Sequence, residues 1–266
     1  MALSKQLDLF SERAIQSEMF GGEYITARPY NNIGNGPIDF IIKDSKDYFD
    51  LKESVLCVKL KVVAADGTPI KTEQNKDDVA LINNAMHSIF SDVQVFLNQK
   101  RVDGGDTLYG FRSYINTMLS YSTETQKNQL FAFGFVKDDY NAMDAKTKTA
   151  FIATKAWTAN GALKTFRGKL NCSLFQQDRL LILGVDLHVK LERAKDAFAL
   201  FNLVETIKPK IVIEEAILHL LKVKVNPAIM QHHAMTLARN VPAIYELNRV
   251  EIDTIPVKKE SLGVIK

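Results

Sequence analysis

The chain has 266 residues, 46% apolar and 24% charged, a composition that excludes low complexity and leaves ample material for a buried core. Thirty-four Lys and Arg against 31 Asp and Glu give a net charge of +3, too small to mark nucleic acid as the principal partner. No apolar run approaches the roughly 18 residues of a membrane span, and MALSKQLDLFSERAIQ lacks the apolar core of a signal peptide, so neither span nor leader is expected.

Ser4 to Ser17 reads as an N-terminal arm with helical tendency ended by Gly21 and Gly22, which sets residues 1–22 apart from a domain over 23–255. Tyr24 to Tyr30 is a first strand, stopped by the turn-rich Asn31 to Pro37, and Pro37 to Lys43 is a second. Ser54 to Val63 is the clearest long strand. Val55, Cys57, Lys59 and Lys61 alternate with Leu56, Val58, Leu60 and Val62, so only the aliphatic face is fully buried. The Asp-Gly pair in Ala65 to Thr68 predicts a tight turn, and the polar Lys71 to Asp78 an exposed loop.

Three patterns meet between Leu81 and Tyr121. Ala80, Leu81, Asn84, Met86 and Ile89 line one side of a short helix. Ser91 to Leu97 then alternates as a half-buried strand, with Val93, Val95 and Leu97 on one face and Asp92, Gln94 and Phe96 on the other. Asn98 to Lys100 turns the chain and Arg101 and Val102 begin a return strand. Leu108, Phe111, Tyr114, Ile115, Met118 and Leu119 recur at three and four, the helical period of an apolar stripe.

A further helix is predicted over Thr123 to Phe133, capped by Ser122 or Thr123. Asp138 to Thr165, with the single Trp157, reads as a long irregular insertion. Strands resume at Phe166 to Leu170, Val185 to Leu191 and Lys210 to Val225. Asn226 and Pro227 then open a helix over Ala228 to Ala238, and Ala243 to Ile255 reads as a last strand with a bulge near Asn248. About eight strands with inserted helices and no βαβ rhythm describe an all-β, antiparallel two-sheet β-sandwich, although periodicity alone does not order its strands.

Chemistry-bearing patterns are sparse. No GxSxG, HExxH, Walker loop or GxGxxG occurs. HVKLE at His188 to Glu192 holds half of a cupin metal pattern, on the polar side of its strand. His232 and His233 are adjacent on a helix and diverge by about 100°. Glu214 and Glu215, adjacent on a strand, are expected on opposite faces, wrong for an acid and base pair. Asp103 to Asp106, DGGD, lacks the alternating oxygens and terminal Glu of a calcium loop and reads as a turn. Cys57 and Cys172, without a CxxC pair, are expected as buried reduced thiols of a cytoplasmic or nuclear folding compartment. Lys222 and Lys224 share a strand face that is either solvated or in weak contact with DNA phosphates; the pair Lys258 and Lys259 is similar. No catalytic, cofactor or metal residue is assigned, and no enzyme is expected.

The same central stretch carries a resemblance. Asn83, Asn84, His87, Ser88, Phe90, Ser91, Leu97 and Asn98, followed by Tyr109, Arg112, Tyr114, Ile115, Leu119 and Tyr121, resemble the signature of major capsid proteins of Polinton (Maverick) elements, the virus-like transposons of animal genomes, and their DNA-virus relatives. Asp8 to Phe10, the Pro-Ile-acidic-Phe of Pro37 to Phe40, Tyr48 to Leu51, Leu174, Phe175 and Arg179 to Leu181, then Arg193, Lys195 and Phe198, and an Arg-Val-Glu run ending at Glu251 extend it over nearly the whole chain.

The resemblance implies a viral jelly roll whose work is assembly. Its partners would be further copies of itself, as a trimer or larger capsomer and then a shell, with a minor (penton) capsid protein beside them, in a virion assembled in host cytoplasm or nucleus. His87 would fix the helix-to-strand turn. Family members carry two jelly rolls in tandem and need about twice this material, so the chain corresponds to the N-terminal sandwich, with residues 256–266 leading toward a second. The alternatives are a lectin- or cupin-type ligand-binding sandwich and a domesticated capsid fragment that modulates assembly.

Overall fold

The computed structural model describes residues 18–34, 36–43, 46–70, 79–138, 149–203, 206–250 and 252. Ten strands are present among them: β1 (Met19–Ala27), β2 (Ile38–Ile42), β3 (Tyr48–Ala64), β4 (Val79–Leu81), β5 (Phe90–Leu97), β6 (Lys100–Asp103), β7 (Lys164–Gly168), β8 (Leu187–Arg193), β9 (Leu200–Asn202) and β10 (Pro209–Val225). Helices α1 (Ala85–Ser88), α2 (Tyr109–Ser120), α3 (Thr123–Asn128), α4 (Thr149–Trp157), α5 (Asp196–Ala199) and α6 (Pro227–Ala238) lie between and after them.

Pairing is antiparallel throughout, in two four-stranded sheets ordered β1-β10-β3-β7 and β2-β8-β5-β6, with β4 and β9 as a separate ribbon. Counting only the eight sandwich strands in chain order, one sheet reads first, eighth, third, sixth and the other second, seventh, fourth, fifth. Every consecutive pair but the fourth and fifth, which form a hairpin, therefore crosses from one sheet to the other, the double Greek key of a jelly roll.

Alternation builds the core. On β3, Leu56, Val58, Leu60 and Val62 are at most 2% exposed, and on β10 Ile211, Ile213, Ala216, Leu218 and Leu220 face the same interior. Ile38, Phe40, Val93, Val95, Leu187, Val189 and Leu191 close it from the other sheet. The parity of β10 changes at one point: a bulge between Ile213 and Glu215 puts both Glu214 and Glu215 outside the core, where they meet Lys61 (2.6 Å) and Arg28 (3.9 Å). The two glutamates therefore share the outer side instead of taking opposite faces.

Several boundaries move. Gly21 and Gly22 lie inside β1 and do not end an arm, because β1 passes so close to β10 that a Cβ on Gly22 would sit 3.0 Å from Leu221 Cδ1. The stretch expected as a helix over Ala80 to Ile89 is split: Val79–Leu81 pairs with Leu200–Asn202, and only Ala85–Ser88 is helical. The chain before β7 contains α4, so the insertion of Asp138 to Thr165 is partly helical; residues 139–148 lie outside the described ones. Among the described residues Val241 to Val250 pairs with no strand; Tyr245 fastens it instead, its hydroxyl donating to Leu180 O (3.2 Å) and accepting from Ile182 N–H (2.9 Å). The arm over residues 1–17, Asp8 to Phe10, Lys71 to Asp78, Lys258 with Lys259, and residues 256–266 also lie outside.

Candidate functional site

The signature residues gather where α1, the start of β5 and α2 meet. Asn83 works as a short substitute strand: its Nδ2 donates to Val136 O (2.7 Å) and its Oδ1 accepts from Val136 N–H (2.9 Å). Asn84 is left-handed (φ 60°, ψ 43°), a conformation Asn tolerates better than most residues, and so turns the chain into α1. Its Nδ2 donates to Ser113 Oγ on α2 (3.2 Å), while its Oδ1 is buried without a hydrogen-bond partner. Ser88 Oγ closes the turn on Asn83 O (2.9 Å).

His87 and Tyr109 form the hinge pin of the block. The Tyr109 hydroxyl accepts from Asn171 N–H (3.2 Å), which leaves its hydrogen to donate to His87 Nδ1 at 2.8 Å. That geometry suits neutral imidazole with its proton on Nε2. Burial lowers the His87 pKa from 6.5 to about 4 and pushes the Tyr109 phenol well above its ordinary value. One aromatic hydroxyl thus joins α1, α2 and the chain after β7.

Arg112, one turn on from Tyr109, lies 5.7 Å from that ring and reaches Asp106 (3.4 Å) and Asp103 (4.0 Å). Its Nε and Nη2 are buried without hydrogen-bond partners. The DGGD segment is a turn, as its sequence implies, with Gly104 and Gly105 at φ +86° and +100°. Its anchor is Asp92, whose carboxylate accepts from Gly105 N–H (3.0 Å) and Gln94 Nε2 (2.8 Å) while 1% exposed. Sequence reasoning placed Asp92 on the polar face of β5. The register keeps it there, opposite Glu192 and on the side of Gln94, away from Val93, and the Gly104–Gly105 turn laid over it is what buries it.

The remaining signature residues are spread out. Phe90 is in the core, and Ser91 Oγ donates across the bulge to Arg193 O (3.2 Å). Leu97 and Asn98 stand at the far end of β5, where Asn98 and Gln99, both with positive φ, make the type I′ hairpin turn into β6. Tyr114 packs on Phe135 with centroids 6.0 Å apart, and Tyr121 is 39% exposed. The α2 stripe is split: Phe111, Ile115 and Leu119 face outward at 48%, 47% and 82% exposure, Leu108, Tyr114 and Met118 are half-buried, and Tyr109, Gly110, Ser113 and Thr117 are buried.

Other candidates are engaged structurally. His188 Nε2 meets Asp39 Oδ1 at 2.8 Å and its ring stacks on Phe96, and His233 Nδ1 meets the Tyr48 hydroxyl at 2.7 Å. Among the described residues no three His, Cys, Asp or Glu side chains are gathered to hold a metal. Cys172 is buried and Cys57 half-buried, both free thiols. Lys222 is taken by Asp47 (2.9 Å) and Glu23 (3.5 Å) and is not a free phosphate contact. Trp157 packs edge-on against Phe131 and Phe166, with Lys164 Nζ 5.2 Å from its centroid, which leaves it poorly placed to stack on a sugar.

No protein-family model matches the sequence, and no curated protein matches it significantly. Solved structures do match in fold. The Faustovirus major capsid protein superposes with a TM-score of 0.56 at 11% identity, over 86% of this chain and 58% of that one. The chain has the jelly-roll fold of viral capsid proteins. A chain of the Sputnik virophage gives 0.55 at 12% identity (85% and 53%), and one of the PBCV-1 virus capsid 0.50 at 12% (85% and 47%). The jelly roll thus spans about half the length of the solved structures it matches.

Proposed function

We propose that this chain is a structural, capsomer-forming sandwich of a DNA-virus major capsid protein of the Polinton and Maverick lineage, corresponding to the N-terminal of two tandem jelly rolls. The observation that carries this reading is the outward stripe of α2. Phe111, Ile115 and Leu119 stand one turn apart on the exposed side, and Ile115 and Leu119 share a hollow of about 310 Å³ with Val250 and Ile252. A contiguous apolar patch on a sandwich whose core is otherwise complete is what an association surface requires. The capsid fold supports the capsid role, and the signature residues are what point to the lineage and to the first of two sandwiches. The partners are then further copies and a second sandwich, with a penton protein at the vertices of the shell. DNA contact is weak, since Lys222 is already neutralised. The protein resides in the virion, after assembly in host cytoplasm or nucleus.

The test is the mass of the purified chain by light scattering, with negative-stain images of the same fraction. Trimers or larger particles are expected. The double variant Ile115→Asn/Leu119→Asn is expected to shift association to at least about tenfold higher concentration while changing folding stability by no more than about 0.5 kcal/mol, as exposed substitutions do. A monomer of 29.9 kDa at every concentration, with the variant indistinguishable from the parent, overturns the reading.

A further inference from the structure

Arg112 is held in the fold with most of its hydrogen-bonding capacity unused. Its side chain is 13% exposed, and Nε and Nη2, whose N–H groups point along one edge of the guanidinium, are buried with no hydrogen-bond acceptor. Among the described residues its charge meets only Asp106 Oδ2 at 3.4 Å and Asp103 Oδ1 at 4.0 Å, both longer than the roughly 2.7–2.9 Å of a charge-assisted bond. The nearby carboxylates are engaged by backbone instead. Asp103 accepts from Gly104 N–H (2.8 Å) and Ser173 N–H (2.5 Å), and Asp92 from Gly105 N–H (3.0 Å), so they fix the glycine turn and leave the arginine edge unmet. Buried donors are nearly always paired, and an unpaired cationic edge therefore points to a group that is added.

There is room for one. A hollow of about 540 Å³ with a mostly polar wall lies beside Arg112, and its charged lining is three arginines, Arg101, Arg112 and Arg249, to two aspartates, Asp103 and Asp106. Arg101 is exposed and lies against the turn, where a Cβ on Gly105 would sit 2.6 Å from its Nη1. Two glycines thus let a second guanidinium into the same hollow. Its outer wall includes Leu247–Val250, tied by Asn248 N–H to Ser173 Oγ (2.7 Å) but paired with no strand among the described residues, so this side yields more readily than the sheets to admit a ligand. The arginines disfavour a metal ion, and the polar wall disfavours an apolar group. We propose that Arg112 and Arg101 hold an oxyanion here, two of its oxygens on the Nε and Nη2 edge of Arg112 in the fork geometry that guanidinium makes with carboxylate or phosphate. A free ion and an acidic side chain of a second copy offer this same chemistry.

Thermal unfolding of the full chain in millimolar inorganic phosphate, against chloride at equal ionic strength, tests the seat. The parent's midpoint is expected to rise with phosphate and not with chloride, as a ligand of the folded state requires. Arg112→Lys keeps the charge but not the fork and is expected to lose the rise. Arg101→Ala, at an exposed position, is expected to fold as the parent does and to bind phosphate about tenfold more weakly. A rise independent of protein concentration assigns the seat to a free ion, whereas self-association that phosphate weakens in the parent, and not in Arg101→Ala, assigns it to a neighbour's carboxylate. Either result supports the proposal. A parent that responds to phosphate in neither midpoint nor association overturns it, and so does an Arg101→Ala protein that responds as the parent does. Phosphate binding is read at any oligomeric state, so it stands or falls separately from the assembly reading.

Discussion

Helices α2 and α6 are each 12 residues long, and they are held in opposite ways. The inward side of α2 presents Tyr109, Gly110, Ser113 and Thr117, and its bonds run to His87, Asn84 and Asn171. Gly110 is small because Phe198 and the backbone of Ser88 press against it, with a Cβ there only 3.3 Å from the Phe198 ring. No residue of α6 is buried; it starts from a cap, Asn226 Oδ1 accepting from Ala228 N–H (3.0 Å), with Pro227 in its first turn, and leans on Tyr48 through His233. The lesson is that apolar content does not decide which helix is integral. Directional polar contacts lock α2 with Phe111, Ile115 and Leu119 turned outward, whereas α6 has local capping and an unfilled apolar groove.

Tyr109→Ala breaks this contrast most strongly. It removes a fully buried aromatic and strands His87 Nδ1 and Asn171 N–H, so a loss of about 3–5 kcal/mol in urea unfolding is expected. A loss below about 1 kcal/mol would show that α2 is held by something other than this hydroxyl and ring.

Acid acts on the same bond. His87 has a folded pKa of about 4 against an ordinary value of 6.5, so its contribution is present above pH 6.5 and is lost as pH falls through about 4. At about 1.4 kcal/mol per unit, roughly 2 kcal/mol is gone by pH 5 and about 3 by pH 4. Unfolding midpoints measured from pH 7.5 to 4 should show this slope, and His87→Gln should flatten it. An unchanged slope in that variant would place the titrating group elsewhere.

The smallest effect belongs to α6. Asn226→Ala removes its cap and is expected to cost about 1 kcal/mol, read as faster exchange confined to α6. A drop in global stability of more than about 2 kcal/mol would mean that α6 is as integral to the sandwich as α2.

Much of the sandwich was legible because period-two burial is a local property. Leu56 to Val62, Ile38 with Phe40, and Leu187 to Leu191 each declare which face is inside, and the structure buries those faces. The turns at Asn98 and at Asp66–Gly67 and the caps at Ser122 and Asn226 were equally local. The failures occur where a distant partner overrides the local pattern. Val79 to Leu81 is a strand because Leu200–Asn202 lies beside it, and Tyr245 fastens its segment to the chain at Leu180 and Ile182 without strand pairing. Asp92 keeps the polar face its sequence position gives it, yet is buried there because two glycines bring the turn and the Gly105 N–H over its carboxylate.

The sequence by itself determined the alternation that makes two sheets, the positive-φ turn residues, and the signature whose Asn, His and Tyr side chains suit a buried polar junction. Tertiary structure alone decided the strand order that makes it a jelly roll, the exposure of Phe111, Ile115 and Leu119 on α2, and the burial of Asp92 beneath the glycine turn. The physical reason is range. Periodicity reports which residues share a face, but which face meets the core depends on hydrogen bonds and packing from strands and loops more than a hundred residues away, as Phe90 against Arg193 shows.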